Sequence, residues 1–251
     1  GGGAVGGGAG GMGGKRPRGS TVSRPLKNGG PADVELTQHM LRYFIRKAMA
    51  SRPIVKPRLV IAIPYGTNPL EKRAVVTAAE LAGAREVLLI DEPTAAAIGA
   101  GVDAKAPVGH LIVDIGGGTS EIAVLSLANV VEGECLRIAG DHFDEATVQF
   151  IRNKYSLTIG PVTSEKLKIA CASAIPLEEE LEVEIRGRDA LTGLPRRVVV
   201  TSVDVREALA EPIRKILDTI KVVLERTPPE LSADLVQTGI TMCGGGSLIR
   251  G

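Results

Sequence analysis

The most constraining feature of the sequence is an apolar segment that ends in an acid and three consecutive glycines. Residues 110–127, HLIVDIGGGTSEIAVLSL, predict two apolar strands that meet at Gly116, Gly117 and Gly118. Because glycine has no Cβ, consecutive backbone N–H groups can face an oligophosphate there, while Asp114 can hold a hydrated Mg²⁺ ion. A plain glycine hairpin is the alternative, but a hairpin needs neither three glycines nor an acid before them. The segment is not a Walker loop, since it has neither the lysine nor the following helix.

A second glycine run lies near the end of the chain. Gly244, Gly245 and Gly246 follow a short predicted strand and precede Ser247, at the start of a helical turn. A strand-to-helix turn of this kind can receive a phosphate or lie flat against an adenine ring. Such turns often contain glycine for backbone reasons alone, so the run by itself is weak evidence. Together, the two glycine runs favour a nucleotide site.

The order of the predicted elements indicates an α/β fold. Residues 58–64 and 86–91 are apolar runs of strand length, and Asn68, Pro69 and Glu71 provide helix-start signals between them. This strand–helix–strand order is typical of a parallel unit. The chain has three Phe, three Tyr and no Trp, so Val, Ile, Leu and Ala must form the core, as in buried parallel strands covered by helices.

Further segments predict helices and one hairpin. A third strand continues the glycine hairpin from residue 129, and residues 181–189 and 195–202 alternate polar with apolar residues, as in an exposed hairpin on a smaller subdomain. Helical periodicity marks residues 34–49 behind Asp33, 141–155, 163–174 and 203–226, the last of which Pro212 should bend.

Charge and cysteine content exclude several classes of protein. Residues 1–30 contain five basic and no acidic residues, so the rest of the chain is mildly acidic and gives no basis for nucleic-acid binding. Ten of the first fourteen residues are Gly, and we expect this start to be poorly ordered. Three dispersed cysteines without a CxxC pair predict no metal site and a reducing cytosol. No apolar run reaches the roughly 18 residues that a membrane span needs.

Two further positions could contribute to a site, each with an ordinary alternative. Glu92 directly follows a buried strand, where an acid can face a ligand crevice or simply favour the start of a helix. The sequence favours neither. Lys166 and Lys168 could meet a ribose or a phosphate, but a solvated basic helix face is the expected default.

Five motifs in this order and spacing resemble the MreB family of bacterial actins. The resemblance covers residues 5–251, and the motifs are EPTAAAIGAG from residue 92, VDIGGGTSEIAV from 113, RIAGDHFDEA from 137, TSEKLKIACASA from 163 and MCGGGSLIRG from 242. It implies an α/β, actin-like (ribonuclease H-like) ATPase fold, with two lobes of mixed sheet flanked by helices. The family's first phosphate hairpin and its last helices have no counterpart here, so we expect a chain truncated at both ends.

The resemblance also implies which residues bind ATP and Mg²⁺. Glu92 and Thr119 would orient the attacking water, and Asp114 would lie near Mg²⁺ and act through water. The phosphates would contact Gly116, Gly117, Gly118 and Thr119. The ribose and base would lie beside Glu165, Lys166, Leu167 and Lys168, and the adenosine motif would comprise Gly245, Gly246, Ser247 and Leu248.

Domain limits follow from the same resemblance. We expect a glycine-rich basic segment at residues 1–30, part of the first lobe at 31–105 and the second lobe at 106–251. Within the second lobe, residues 106–138 and 201–251 would form a core that holds the phosphate and adenosine motifs, and residues 139–200 would form a smaller inserted subdomain.

The function implied is that of an ATP-dependent cytoskeletal filament. Such filaments lie in the cytoplasm at the inner face of the cell membrane, hydrolyse ATP weakly on assembly, and organise cell-wall synthesis with other shape proteins. Ile54 and Val55 align with a loop that touches the membrane in some members, although they could simply begin the next strand. Because the family's first phosphate loop has no counterpart in this sequence, the resemblance does not decide whether this chain hydrolyses ATP. The alternatives are a non-catalytic remnant acting as an interaction scaffold and another ATPase of this fold, such as a chaperone.

Overall fold

The computed structural model describes residues 33–49 and 55–251, together with the backbone of residues 26–27 and 30–31. The strands within these ranges are β1 Leu26–Lys27, β2 Gly30–Pro31, β3 Arg58–Ile63, β4 Glu86–Asp91, β5 His110–Ile115, β6 Ser120–Ser126, β7 Asn129–Leu136, β8 Leu157–Thr158, β9 Glu182–Asp189, β10 Pro195–Thr201 and β11 Ile240–Cys243. The helices are α1 Val34–Ala48, α2 Pro69–Ala82, α3 Glu92–Gly99, α4 Gly140–Tyr155, α5 Pro161–Cys171, α6 Ser202–Arg226 and α7 Pro229–Thr238, followed by a 3₁₀ turn at Gly245–Leu248.

A parallel β–α–β unit forms the first part of the described chain. β3 and β4 pair in parallel from Arg58 with Glu86 to Ile63 with Asp91, and α2 connects them. Asn68 and Glu71 form a capping box at the start of α2, and Gly83 ends the helix in the left-handed conformation. The predicted unit is therefore confirmed, and the carboxyl end of β4 leads directly into α3.

A four-stranded mixed sheet, in the order β11-β5-β6-β7, forms the centre of the molecule. β5, β6 and β7 make the predicted antiparallel meander, and β11 joins β5 in parallel. One face of the sheet packs on the main hydrophobic core through Leu111, Val113 and Ile122. The other face packs Ile112 and Leu125 against Ala97 of α3. Packing on both faces of the sheet thus fixes the position of β5, the strand that precedes the glycines.

A smaller sheet, in the order β10-β9-β8, extends from the same core and is accompanied by α4 and α5. The predicted hairpin is confirmed, with β9 and β10 paired from Arg188 with Pro195 to Glu182 with Thr201. A Cβ on Gly187 would lie 2.6 Å from Thr158 O, so only glycine allows β8 to lie this close. These elements fall within the range expected for the inserted subdomain, but the domain limits themselves stay a prediction.

Several details differ from the sequence analysis or add to it. The analysis missed β8 and α7, and α5 begins at Pro161 rather than Thr163 because the proline occupies its first turn. α1 is amphipathic and capped by Asp33 as predicted, and α6 continues through Pro212. No helix among the described residues is both long and apolar enough to cross a bilayer.

Candidate functional site

The glycine loop at residues 116–119 is held by the start of α4. The Gly116 N–H donates to Thr119 O at 2.9 Å and closes the hairpin. The Gly140 N–H donates to Gly116 O at 3.1 Å, and the Asp141 N–H donates to Gly117 O at 2.8 Å. In a planar trans peptide the C=O and the next N–H point in opposite directions. The amides of Gly117 and Gly118 therefore point away from α4.

These backbone amides form a candidate anion cradle. Within the described residues, no group accepts a hydrogen bond from the N–H of Gly117, Gly118 or Thr119. A Cβ built on Gly117 would meet no atom within 4 Å, so the space beside the loop is open. Thr119 is buried, and its hydroxyl likewise has no partner in the described part of the chain. The Gly116 amide differs from the others because it is already used inside the hairpin.

Asp114 and Glu121 form a pair of acids on the neighbouring strands. They lie opposite each other in the β5–β6 ladder, and the same face of these strands packs on α3, which begins at Glu92. Burial raises the pKa of Asp114 above its ordinary value. Burial, and then the charges of Glu121 and Asp114, raise the pKa of Glu92 to about 7. Glu92, Asp114 and Glu121 thus lie close enough for their charges to affect one another, whereas the roles predicted for Glu92, Asp114 and Thr119 stay predictions.

Glu121 is a residue that the sequence analysis missed. Its side chain is fully buried, Oε2 accepts a 3.1 Å hydrogen bond from the Tyr65 N–H, and Oε1 has no hydrogen-bond partner among the described residues. Burial raises its pKa most, interactions with Cys135 and the Tyr65 N–H lower it, and the charges of Asp114 and Asp91 raise it further. The sequence signal that could have identified Glu121 is its position as the one acid in the mostly apolar strand β6. Its carboxylate connects the loop after β3 to the acids beside the glycine loop.

The two thiols that flank these acids are poor nucleophiles. Cys243 lies opposite Asp114 on β11, and Cys135 lies opposite Glu121 on β7. Burial raises the pKa of both thiols, and the neighbouring acids raise it further. Both cysteines therefore stay protonated and neutral at physiological pH.

The second glycine run packs against the end of β5, which leads into the first run. A Cβ on Gly244, which has φ +79°, would collide with Ile115 O and Asp114 Oδ1, and a Cβ on Gly246 would collide with the Ile115 side chain. Only glycine permits this approach. Gly245 faces open space, Ser247 Oγ donates to Gly244 O at 2.7 Å, and Leu248 is largely exposed. The second glycine run therefore lies against the end of β5, directly before the first run.

The four predicted residues of α5 have different environments. Glu165 and Lys166 are exposed, whereas Leu167 is buried in the main core. Lys168 Nζ lies 2.9 Å from Asp144 Oδ1, and each side chain is only 14% exposed. The expected solvated face is therefore wrong for Lys168, because an acid on α4 pairs with it. The end of α5 approaches the second glycine run, since Ser173 bridges to Arg250.

The side chains around the glycine loop suit a nucleotide that brings a divalent cation with it. No cluster of three or more metal-ligating side chains occurs among the described residues, so these residues alone do not form a metal cage. Mg²⁺ commonly combines one or two carboxylates with waters and substrate phosphates. Asp114, half-buried beside the open glycine loop, suits that arrangement.

Comparison with known proteins decides the family. The family model for MreB/Mbl protein matches residues 3–251. The chain belongs to the MreB/Mbl family. Its relatives include the cell shape-determining protein Mbl of Bacillus cereus, 45% identical over 95% of this chain and 72% of that protein, and the cell shape-determining protein MreB of Escherichia coli, 43% identical over 94% and 69%.

Solved structures of this family and of a related filament share the fold. MreB 5 of Spiroplasma citri bound to AMPPNP superposes with a TM-score of 0.93 at 38% identity, over 98% of this chain and 74% of that chain. The MamK double helical filament superposes with a TM-score of 0.76 at 26% identity, over 91% and 69%. The predicted actin-like α/β fold is therefore confirmed.

Proposed function

We propose that this MreB/Mbl-family chain binds Mg²⁺-ATP between its two glycine runs and assembles into filaments that help to determine cell shape. The observation that carries the proposal is the orientation of the glycine loop. The Gly116 and Gly117 carbonyls are bonded to α4, so the Gly117 and Gly118 amides point to the other side. Like the Thr119 amide, they have no acceptor among the described residues. Free amides and an adjacent acid are the groups that a phosphate–magnesium complex requires.

The first glycine run would bind the phosphates. The N–H groups of Gly117, Gly118 and Thr119 would donate to the β and γ phosphates, and Asp114 would hold Mg²⁺ through water. Gly116 would contribute its shape, since its amide closes the hairpin. When bound, Mg²⁺ would neutralise phosphate charge, the main requirement for phosphoryl transfer besides positioning.

The nucleoside would lie between the second glycine run and α5. Gly245 is open on its Cβ side and Ser247 and Leu248 lie beside it, so an adenine ring would have room against this turn. Glu165 and Lys166 are exposed on α5 and available to a ribose, whereas Leu167 would act only by packing in the core.

Water activation would involve Glu92 and the Thr119 hydroxyl. The hydroxyl has no partner in the described residues, and the pKa of Glu92 is raised to about 7. An acid that titrates near neutral pH can accept a proton or orient water, although weakly when half protonated. Slow hydrolysis coupled to assembly is consistent with this arrangement.

Filament formation at the membrane is the cellular part of the proposal. The relatives are named as cell shape-determining proteins, and the related MamK structure is a double helical filament. We place this chain in the cytoplasm, at the inner face of the membrane, with cell-wall synthesis proteins as partners. Val55 is 61% exposed, as a membrane contact requires, whereas Ile54 lies outside the described residues. One or two aliphatic side chains contribute only about 2–4 kcal/mol, so attachment would need many subunits.

Calorimetric titration and light scattering of the 251-residue chain test the proposal. We expect Mg²⁺-ATP and Mg²⁺-AMPPNP to bind and light scattering to rise when either is added. Phosphate should be released slowly from Mg²⁺-ATP but not from Mg²⁺-AMPPNP. Assembly partners without nucleotide affinity would instead support a non-catalytic scaffold. Binding and hydrolysis without any polymer would favour a chaperone-like ATPase.

A further inference from the structure

We propose that Lys168 is a positioning residue that holds the phosphate-binding glycine loop in place through the start of α4. The inference rests on the proposed nucleotide function and assigns to Lys168 a role other than direct contact with the nucleoside. Two sets of contacts and one geometric consequence support it. Lys168 contacts α4, α4 bonds the carbonyls of the glycine loop, and these bonds determine where the amides of the loop point.

The first contacts fix Lys168 against α4. Its Nζ lies 2.9 Å from Asp144 Oδ1 and donates a 3.0 Å hydrogen bond to Gly140 O. Lys168 therefore contacts α4 twice, through one hydrogen bond and one ion pair. Because both charged side chains are only 14% exposed, little solvent screens their attraction. A lysine in this position holds two points of α4, one turn apart.

Among the described residues, Lys168 is the only positive partner of Asp144. Burial raises the pKa of Asp144, the bond and the charge of Lys168 lower it, and nearby Glu165 and Asp141 raise it again. Ser164 Oγ donates to Asp144 O at 2.8 Å and forms a second, neutral link between α5 and α4. Loss of the lysine alone would thus leave a partly buried carboxylate among acids.

The second set of contacts joins α4 to the glycine loop. α4 has no side-chain cap at Ala139, so its first amides rely on other acceptors. Those acceptors are Gly116 O and Gly117 O, bonded to the Gly140 and Asp141 N–H groups. A Cβ on Gly140 would lie 3.2 Å from Gly116 O and 3.6 Å from Lys168 Nζ, so the three residues meet at one point.

The third step follows from peptide geometry. Carbonyls held toward α4 keep the Gly117 and Gly118 N–H groups on the opposite side of the loop. If Lys168 releases the Gly140 carbonyl, the start of α4 can move and these two peptides can rotate. The amides would then need to be reordered when phosphate binds, which lowers affinity for phosphates in particular.

A nucleotide series separates positioning from direct contact. The test variant is Asp144→Asn combined with Lys168→Met, which removes both charges and leaves no unpaired ion. By calorimetry at fixed Mg²⁺, we expect ATP and ADP to bind about tenfold more weakly, with adenosine changed less than about twofold. Lys168→Arg should retain most of the affinity, because Arg can still pair with Asp144. Lys72→Met, which changes an exposed lysine on α2 outside the proposed nucleotide site, is the matched control.

Each outcome has a distinct meaning. An equal loss for adenosine, ADP and ATP would overturn the inference in favour of a direct ribose or base contact. Unchanged ATP affinity in a double variant with a native melting curve would also overturn it. If the unmodified chain bound no ATP or ADP, the proposed function would fail instead. Should the double variant unfold, Asp144→Asn alone, which keeps the Lys168–Gly140 bond, must show a smaller loss of ATP affinity than Lys168→Met.

Discussion

The Tyr65 N–H donates a 3.1 Å hydrogen bond to Glu121 Oε2 and so joins the loop after β3 to the buried strand β6. Glu121→Ala would leave this part-buried amide without an acceptor and open a cavity, so we expect a loss of about 2 kcal/mol in the free energy of unfolding. Glu121→Gln keeps an acceptor and removes the buried charge, and it should be neutral or stabilising. Urea denaturation of both variants measures the difference. Equal losses in both would show that the charge, not the acceptor, matters.

The raised pKa of Glu92 predicts that stability falls as pH rises. With a folded pKa of about 7 and an ordinary value of 4.5, the folded state holds a proton that the unfolded chain releases. The stabilisation from this proton is full below about pH 4.5 and is lost as pH approaches and passes 7. Glu92→Gln should flatten the pH dependence of urea midpoints between about pH 5 and pH 8. A variant with the wild-type slope would contradict the assignment.

Asp204 predicts the opposite pH dependence. Burial alone would raise its pKa, but hydrogen bonds from Lys154, the Thr201 backbone, Tyr155 and the Thr201 hydroxyl outweigh burial and lower the pKa to about 2. Its stabilisation is therefore full above about pH 4 and is lost as pH falls through 2. Asp204→Ala should cost about 3 kcal/mol at neutral pH, because Lys154 and Tyr155 lose their acceptor.

Tyr155→Phe is the graded control for Asp204. It removes a single donor, the 2.7 Å bond from Tyr155 Oη to Asp204 Oδ2, and should cost only about 1 kcal/mol. Guanidinium or urea unfolding at neutral pH compares the two variants. A cost as large as that of Asp204→Ala would mean that ring packing, not the hydrogen bond, dominates.

Gly117→Ala should separate nucleotide binding from folding. Its methyl group would meet no protein atom within 4 Å and the residue has no positive φ, so we expect an unchanged melting temperature. The methyl would occupy the space where phosphate approaches the free amides, and ATP affinity should fall at least about tenfold. Gly99→Ala, equally unobstructed but at the end of α3, should affect neither quantity. Unchanged ATP affinity in Gly117→Ala would place the phosphate elsewhere.

Gly244→Ala should behave in the reverse way. Here a Cβ would collide with Ile115 O and Asp114 Oδ1, and φ is +79°, so the two glycine runs would have to separate. We expect a destabilisation of about 2–4 kcal/mol, measured by urea denaturation. A stability equal to the wild type would show that the second run is not held against β5.

Local sequence signals were sufficient for most of the fold. Apolar runs, the Asn68 capping box and the glycine hairpin predicted β3 to β7, α2 and their order, since each signal acts over a few residues. α7 was missed because no residue of it is buried, so its apolar pattern is weak. β8 is two residues long and depends on pairing with β9, about thirty residues later.

The candidate site was predictable in its motifs but not in its connections. Gly116 to Thr119 and Gly244 to Ser247 stood out by composition, whereas their contact needed the parallel pairing of β11 with β5. Lys168 resembled any basic residue on a helix, because its partner Asp144 lies on another helix. Likewise, an acid at position 121 shows its role only once Tyr65 is folded over it.

The first amides of α4 are capped by carbonyls of a loop more than twenty residues earlier. Two of these amides therefore report whether that loop keeps its conformation. Hydrogen exchange at Gly140 and Asp141 requires release of the Gly116 and Gly117 carbonyls. These amides lie on the side of the loop opposite the proposed phosphate site, so their protection reports the conformation of the glycine loop itself.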